Sequence, residues 1–160
     1  MIRIMTQNDF QHFWLTFKEV IEQQETYAFD PDMSQQQAYA LWCQKVDNAY
    51  AMVEGDEILG SYYLKANAMG PGNHICNCGY MVAPQARGKG VARTLCEHSQ
   101  SEAIKLGYRA MQFNSVVASN QVAVQLWQRL GYQIIGTIPK AYRHPSLGLV
   151  DSHIMYKWLQ

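Results

Sequence analysis

The stretch Arg87-Gly88-Lys89-Gly90-Val91-Ala92 constrains this chain more than any other. An apolar, strand-like run from Ile75 to Val82 precedes it. Ala92, Leu95, Ser99, Ala103 and Leu106, spaced by three or four residues, follow as one face of a helix. Pro84 opens the loop between them, and Gly88 and Gly90 empty it of side chains. A strand, a glycine-rich turn and a helix N-terminus make an anion site. The first helical N–H groups lack intrahelical partners, and the helix dipole adds partial positive charge there. Missing Cβ atoms let a phosphate reach the main chain, while Arg87 and Lys89 add formal charge. The competing reading is a basic, glycine-rich turn with no ligand, since short glycine motifs also arise by accident.

Glycine spacing separates the phosphate sites. A P-loop requires Ser or Thr after Gly-Lys and four residues before it; here Val91 follows Gly90. A dinucleotide fingerprint requires a third glycine and an acidic residue at the end of a second strand. Neither is present. Arg87-x-x-Gly90-x-Ala92, with Val82-Ala83-Pro84 ahead of it, resembles the pyrophosphate loop Arg/Gln-x-x-Gly-x-Gly/Ala of the GCN5-related N-acetyltransferases. Gln85-x-x-Gly88-x-Gly90 is an overlapping register of the same motif, less well spaced from Val82 and Pro84. Further on, Asn120-x-x-Ala123-x-x-Leu126-Trp127-x-x-x-Gly131-Tyr132 resembles the family's Asn-x-x-Ala-x-x-Leu-Tyr-x-x-x-Gly-Phe. Two motifs in order, one helix and one strand apart, are more specific than either alone.

The resemblance implies a mixed α/β fold of the acyl-CoA N-acyltransferase type. Its central sheet of about six or seven largely antiparallel strands is splayed in the middle and flanked by about four helices. It also implies acetyl-CoA as co-substrate. The opened backbone near Tyr80, Met81 and Val82 pairs with the pantetheine arm and the thioester carbonyl. Arg87, Gly88, Lys89, Gly90, Val91 and Ala92 hold the pyrophosphate, and Asn120 bonds the pantetheine arm; a plain helix N-cap is the other reading of Asn120.

Two departures bear on catalysis. Trp127 stands where the family often has a Tyr that protonates the leaving thiolate. An indole N–H has no usable acidity near neutral pH, so Trp127 is read as a wall beside the cofactor sulfur or as core. A thiolate leaving group needs no acid when its pKa is near that of a free thiol. Some relatives carry a Glu on the strand before the loop, and Ile75 to Val82 has no carboxylate. His74, just ahead of that strand, is a candidate for a base acting directly or through water, and Asn120 is the other candidate for a catalytic role. Tyr80, Tyr142, His144 and His153 are weaker, and positioning of the amine against the thioester is left as the main source of rate. A narrower likeness joins Asn77, Asn114 and Asn120 to three asparagines of the yeast proline-analogue (azetidine-2-carboxylate) N-acetyltransferases. It implies that Asn77 and Asn114 bind a substrate carboxylate, with Arg143 and His144 as supplements. Against this stands the reading that both asparagines satisfy irregular backbone at the splay.

Composition narrows the class. At 160 residues, one domain spanning 1–160 is expected. Basic and acidic residues number 13 each, which argues against non-specific nucleic-acid binding and against an anionic membrane surface. No apolar run approaches the ~20 residues of a membrane span, and Met1 to Asp9 reads as a strand and a helix cap rather than a signal peptide. Four cysteines make no disulfide framework at this length. Cys76 and Cys78 share a strand face, but no second Cys/His pair has zinc spacing, so no metal is expected. A reduced, cytoplasmic protein is the expectation, and a homodimer stays open.

The remaining elements follow from pattern. Ile2 to Met5 reads as a strand, and Asn8 or Asp9 as the cap of a helix carrying Phe10, Phe13, Trp14, Phe17, Val20 and Ile21 on one apolar side. Gln23 to Pro31 is a connection. Ser34 caps a second helix. Ala49–Val53 and Ile58–Lys65 form a hairpin, and Tyr108–Val116 a strand. A helix from Ser119 or Asn120 turns Val122, Ala123, Leu126, Trp127 and Leu130 inward. Gln133–Ile138 and Leu149–Trp158 are strands joined by a loop from Pro139 to Gly148. The expected activity is N-acetylation of a small amine, such as an amino acid or its analogue, by direct attack. The alternatives are an acyl-CoA sensor without turnover and a protein N-acetyltransferase.

Overall fold

The computed structural model describes residues 1–160. Seven strands form one sheet: β1 (Ile2–Ile4), β2 (Asn48–Glu54), β3 (Glu57–Ala66), β4 (Ile75–Val82), β5 (Ala110–Val117), β6 (Gln133–His144) and β7 (Gly148–Trp158). Four helices flank it: α1 (Gln7–Gln23), α2 (Gln35–Tyr39, continued as a π-turn Ala40–Gln44), α3 (Val91–Lys105) and α4 (Gln121–Arg129). The strand order is β1-β2-β3-β4-β5-β7-β6. Every pairing is antiparallel except β4 with β5.

That one parallel pairing sets the architecture. β4 and β5 share only the rungs Ile75–Ala110, Cys76–Met111 and Asn77–Gln112, then part. Beyond Asn77 the strand keeps its ladder to β3 as far as Val82. The other strand continues against β7 through a bulge between Phe113 and Val116. A wedge therefore opens in mid-sheet, pointing at the loop before α3.

Side-chain alternation divides the core in two. On one face Phe10, Phe13, Phe17, Ile21 and Trp42 of α1 and the π-turn pack on Ala49, Ala51 and Met81. On the other, Val91, Leu95, Cys96 and Trp127 of α3 and α4 pack on Tyr62, Leu64, Cys78 and Met111.

Three local expectations are corrected. Thr6, not Asn8 or Asp9, is the N-cap of α1, and Asp9 is the third helical residue of a capping box that returns a carboxylate to the Thr6 N–H. Val122 is 80% exposed; it lies about 100° round α4 from the Ala123–Trp127 stripe. The loop expected from Pro139 is strand: β6 runs to His144, with its register slipping between Ile138 and Tyr142. At the sheet's edge a proline's missing N–H breaks no ladder bond.

Candidate active site

Hydrogen-bond parity along β4 decides which main-chain groups the wedge receives. Ala83 N–H donates to the Leu59 carbonyl and Asn67 N–H to the Ile75 carbonyl, both at 2.9 Å. With the register unbroken between them, Asn77, Gly79 and Met81 exchange bonds with β3, and Cys78, Tyr80 and Val82 turn their N–H and C=O away from it. β5 has diverged there, so Tyr80 and Val82 present main chain to the wedge. Met81 does not: its main chain belongs to the ladder and its side chain is buried against the α1 face. Of the three residues expected to open, two do.

A cleft of about 600 Å³ follows the wedge through the sheet. One end lies at the loop before α3. Gly88 and Gly90 hold φ of 74° and 78°, and Gly90 is the N-cap of α3 without contributing a side chain. Thr94 N–H to the Gly90 carbonyl, 3.0 Å, is the first helical bond, so the N–H groups of Val91, Ala92 and Arg93 have no intrahelical acceptor. A Cβ built on Gly88 or Gly90 meets no atom within 4 Å. Glycine is required at these positions by backbone conformation, and the outer side of the turn is open to a ligand. Val91 is buried and pins the helix start to the sheet, while Arg87 lines the cleft and Lys89 is exposed. These residues fit a pyrophosphate: free N–H groups, a helix N-terminus and two cations.

Asn120 does what a cap does. Its Oδ1 accepts from Ala123 N–H at 3.3 Å. Its side-chain amide nitrogen has no protein partner and the residue lines the cleft, so the capping and cofactor readings are compatible. Trp127 is buried, with its ring 5.0 Å from Tyr80 and 5.3 Å from Phe113; all three line the cleft. The Tyr80 hydroxyl is turned from the wedge into the core, 2.7 Å from Ser99 Oγ on α3. Burial drives its ionisation well above the usual phenol range.

The weak base candidates fall away. His74 is exposed in the turn before β4, where its carbonyl accepts from Arg109 N–H at the paired end of the two strands. It does not border the cleft. His144 Nδ1 accepts from the N–H groups of Ser146 and Leu147 in the hairpin tip, and His153 lies beside Thr137. Cys78 lines the cleft, but burial raises its thiol well above the ordinary value and that of Cys76 to about 12. Neither supplies a thiolate for an acyl-enzyme.

Asn77 and Asn114 both border the other end of the cleft. Asn77 is buried and largely committed: Oδ1 accepts from Tyr63 OH at 2.9 Å, and Nδ2 donates to the Gln112 carbonyl at 3.0 Å. Asn114 is exposed, donating to Asn67 Oδ1 and accepting from Gln112 Nε2. Three residues that sequence reasoning gave no role join them: Lys65, Glu25 and Tyr27. Lys65 Nζ makes no salt bridge and lies 5.5 Å from the Tyr63 ring centroid. Glu25 and Tyr27 come from the connection after α1, which carries no periodicity to mark them.

Comparison with known proteins agrees with this geometry. The model of the acetyltransferase (GNAT) family matches residues 10–132. N-acetyltransferase aca1 of Schizosaccharomyces pombe is 38% identical over 98 residues, 61% of this chain and 47% of that protein. The chain thus spans about half the length of this curated relative. A GCN5-related N-acetyltransferase from Kribbella flavida is 40% identical with a TM-score of 0.93, covering 99% of this chain and 96% of that one. The yncA protein of Salmonella typhimurium, solved with its cofactor acetyl-CoA, shares the fold at 18% identity and a TM-score of 0.85, covering 100% and 94%. No helix here is long and apolar enough to cross a membrane. With the family model spanning most of its length and both motifs flanking one splayed sheet, the chain belongs to the acetyltransferase (GNAT) family.

Proposed function

We propose that residues 1–160 form one catalytic domain that moves the acetyl group of acetyl-CoA to the amine of a small molecule bearing a carboxylate, an amino acid or its analogue. The observation that carries the carboxylate is Lys65: half-buried, without an acidic partner, and the cation at the end of the cleft away from Arg87. Each of Asn77 and Asn114 retains one amide N–H to supplement it. Glu25, which also lines the cleft, attracts the ammonium form of the acceptor before it loses its proton.

The chemistry is direct. A neutral amine attacks the thioester carbon, the C–S bond breaks, the sulfur leaves as thiolate, and the amine's surplus proton passes to solvent. Arg87 to Ala92 hold the pyrophosphate. The N–H groups of Tyr80 and Val82 face the carbonyl oxygen and stabilise its developing charge. Trp127 walls the sulfur from water. His74 lies outside the cleft and Cys78 is held as a thiol, and Glu25 is assigned attraction of the ammonium rather than proton transfer, which leaves placement as the main source of rate.

Thiol release from acetyl-CoA tests this, comparing an amino acid with its decarboxylated amine. A charge-assisted contact contributes about 1.5–3 kcal/mol, a preference of roughly ten- to a hundredfold in kcat/KM. Lys65→Met is expected to erase it while leaving acetyl-CoA affinity intact. Equal rates in the wild type would end the carboxylate reading, and no thiol release with any amine would end the turnover reading.

A further inference from the structure

Two hydroxyls tie the connection between α1 and α2 over the wedge. Tyr27 Oη donates to the Tyr80 carbonyl oxygen at 2.6 Å. Tyr142 Oη, from β6, donates to the carbonyl of Tyr27 at 3.0 Å. The Tyr27 ring is stacked on Phe29 at 4.9 Å and set edge-on to Trp42 at 6.0 Å. Below it lies Gly79, where a Cβ would stand 3.1 Å from Tyr27 Oη and 2.7 Å from the Tyr63 ring. Glycine at 79 therefore lets this phenol lie directly on the β4 backbone.

The bond to Tyr80 fixes what the hydroxyl still offers. A phenol has one proton and two lone pairs. With its proton on the Tyr80 carbonyl, Tyr27 is acceptor-only toward anything else in the cleft. It is also no base: burial, with smaller contributions from Tyr63 and Cys78, holds its ionisation well above the usual phenol value. Its place matters because the N–H and C=O of one strand residue point to the same side. The oxygen of Tyr27 thus lies on the same side of β4 as the Tyr80 N–H, the group that the proposed mechanism sets against the reacting carbonyl. An amine arriving from the Lys65 end reaches that carbonyl past Tyr27.

We propose that Tyr27 is a catalytic residue: its hydroxyl oxygen accepts an N–H of the acceptor amine and turns the nitrogen lone pair toward the thioester carbon. The proposal rests on the direct-attack reading above. As the C–N bond forms, the nitrogen gains positive charge and its N–H becomes a stronger donor, so the contact tightens in the transition state. Tyr27 takes no proton; it holds the one hydrogen whose direction sets the lone pair. The tie from Tyr142 keeps the strap, and with it the hydroxyl, over the wedge.

The test is Tyr27→Phe, which keeps the ring packing and removes only the hydroxyl. Turnover is measured by thiol release, acetyl-CoA affinity by calorimetry and folding by thermal melting. The expected result is a kcat lower by ten- to a hundredfold, with KM for the amine within about threefold and acetyl-CoA Kd within about twofold. A kcat within threefold of wild type overturns the proposal. So does a kcat loss matched by lost cofactor affinity or a lower melting point, which marks a structural role. Tyr142→Phe gives a second reading should the first variant fold poorly: it is expected to lower kcat severalfold, and wild-type kinetics there also overturn the proposal. A wild-type protein that releases no thiol with any amine overturns the direct-attack reading and this inference together, a result visible before any variant is made.

Discussion

The side chain of Asn77 donates to the main-chain carbonyl of Gln112 at 3.0 Å, on the last rung that β4 and β5 share. Its other end accepts from Tyr63 at 2.9 Å. A side-chain amide thus continues the sheet for one more bond where the main chains part. The wedge begins where it does because a buried amide closes its apex.

Asn77→Ala is therefore predicted to lower stability, not only substrate recognition. It leaves the Tyr63 hydroxyl and the Gln112 carbonyl without their partner, at a cost of about 1–3 kcal/mol. At about 2–4 °C per kcal/mol for a chain of this size, the melting point should fall by several degrees. An unchanged melting point together with a lost substrate preference would restore Asn77 to a purely recognition role.

The glycine-rich turn and the start of α3 were legible in the sequence because their signal is local. Gly88, Gly90 and the helix face from Val91 lie within one stretch of chain, and their spacing carries the chemistry. Asn120 was legible for the same reason, as a cap beside a helix. What failed was whatever depends on the partner across the sheet. That Asn77 satisfies backbone at the splay was one of two sequence readings, but its partners Tyr63 and Gln112 could not be named because they are distant in sequence. His74 looked close to the site because it precedes β4, yet it lies at the end where β4 and β5 are still paired. Met81 was grouped with Tyr80 and Val82 because parity along a strand needs its register with β3. Tyr27 sits in an aperiodic connection and is tied by residues 53 and 115 positions away. Pro139 was taken for the end of a strand because an edge position, where proline is harmless, is a property of the sheet.

Gly90 gives a graded prediction. Its φ of 78° disfavours any residue with a Cβ, although no neighbour is crowded there. The left-handed conformation costs ordinary residues about 1–2 kcal/mol, with Asn the mildest substitute. Acetyl-CoA affinity should therefore decline from Gly90→Asn to Gly90→Ala to Gly90→Val, as read by calorimetry. Wild-type affinity in Gly90→Val would remove the pyrophosphate from this turn.

Trp127→Phe is predicted to keep turnover within about tenfold, or roughly 1.4 kcal/mol of barrier. Phe preserves the aromatic contact with Tyr80 and Phe113, and the indole N–H has no proton to give a thiolate. Trp127→Ala is expected to cost about 3–5 kcal/mol of stability through the cavity it leaves. A loss of several orders of magnitude in Trp127→Phe would mean that the indole N–H takes part in the reaction.

The acid limb of stability should trace to Asp9. Its carboxylate receives two bonds from Arg3, at 2.5 and 2.9 Å, and the N–H of Thr6 at 2.7 Å. The bonds from Arg3 are the largest cause holding its pKa down to about 2, from an ordinary value of 3.8. A depressed carboxylate stabilises the fold wherever it is ionised in both states, so the contribution is complete above the unfolded pKa. It declines as pH falls below about 4 and is lost as pH passes through about 2. Arg3 is more than a third exposed, so solvent screening reduces the contribution of this pair to about 1 kcal/mol. Asp9→Asn should accordingly be less stable than wild type by about that amount at pH 6, and the two proteins should converge as pH approaches 2. Urea denaturation across this range reads the difference directly. A gap that stays constant with pH would show that the loss comes from the capping geometry of Asn at this position and not from the charge.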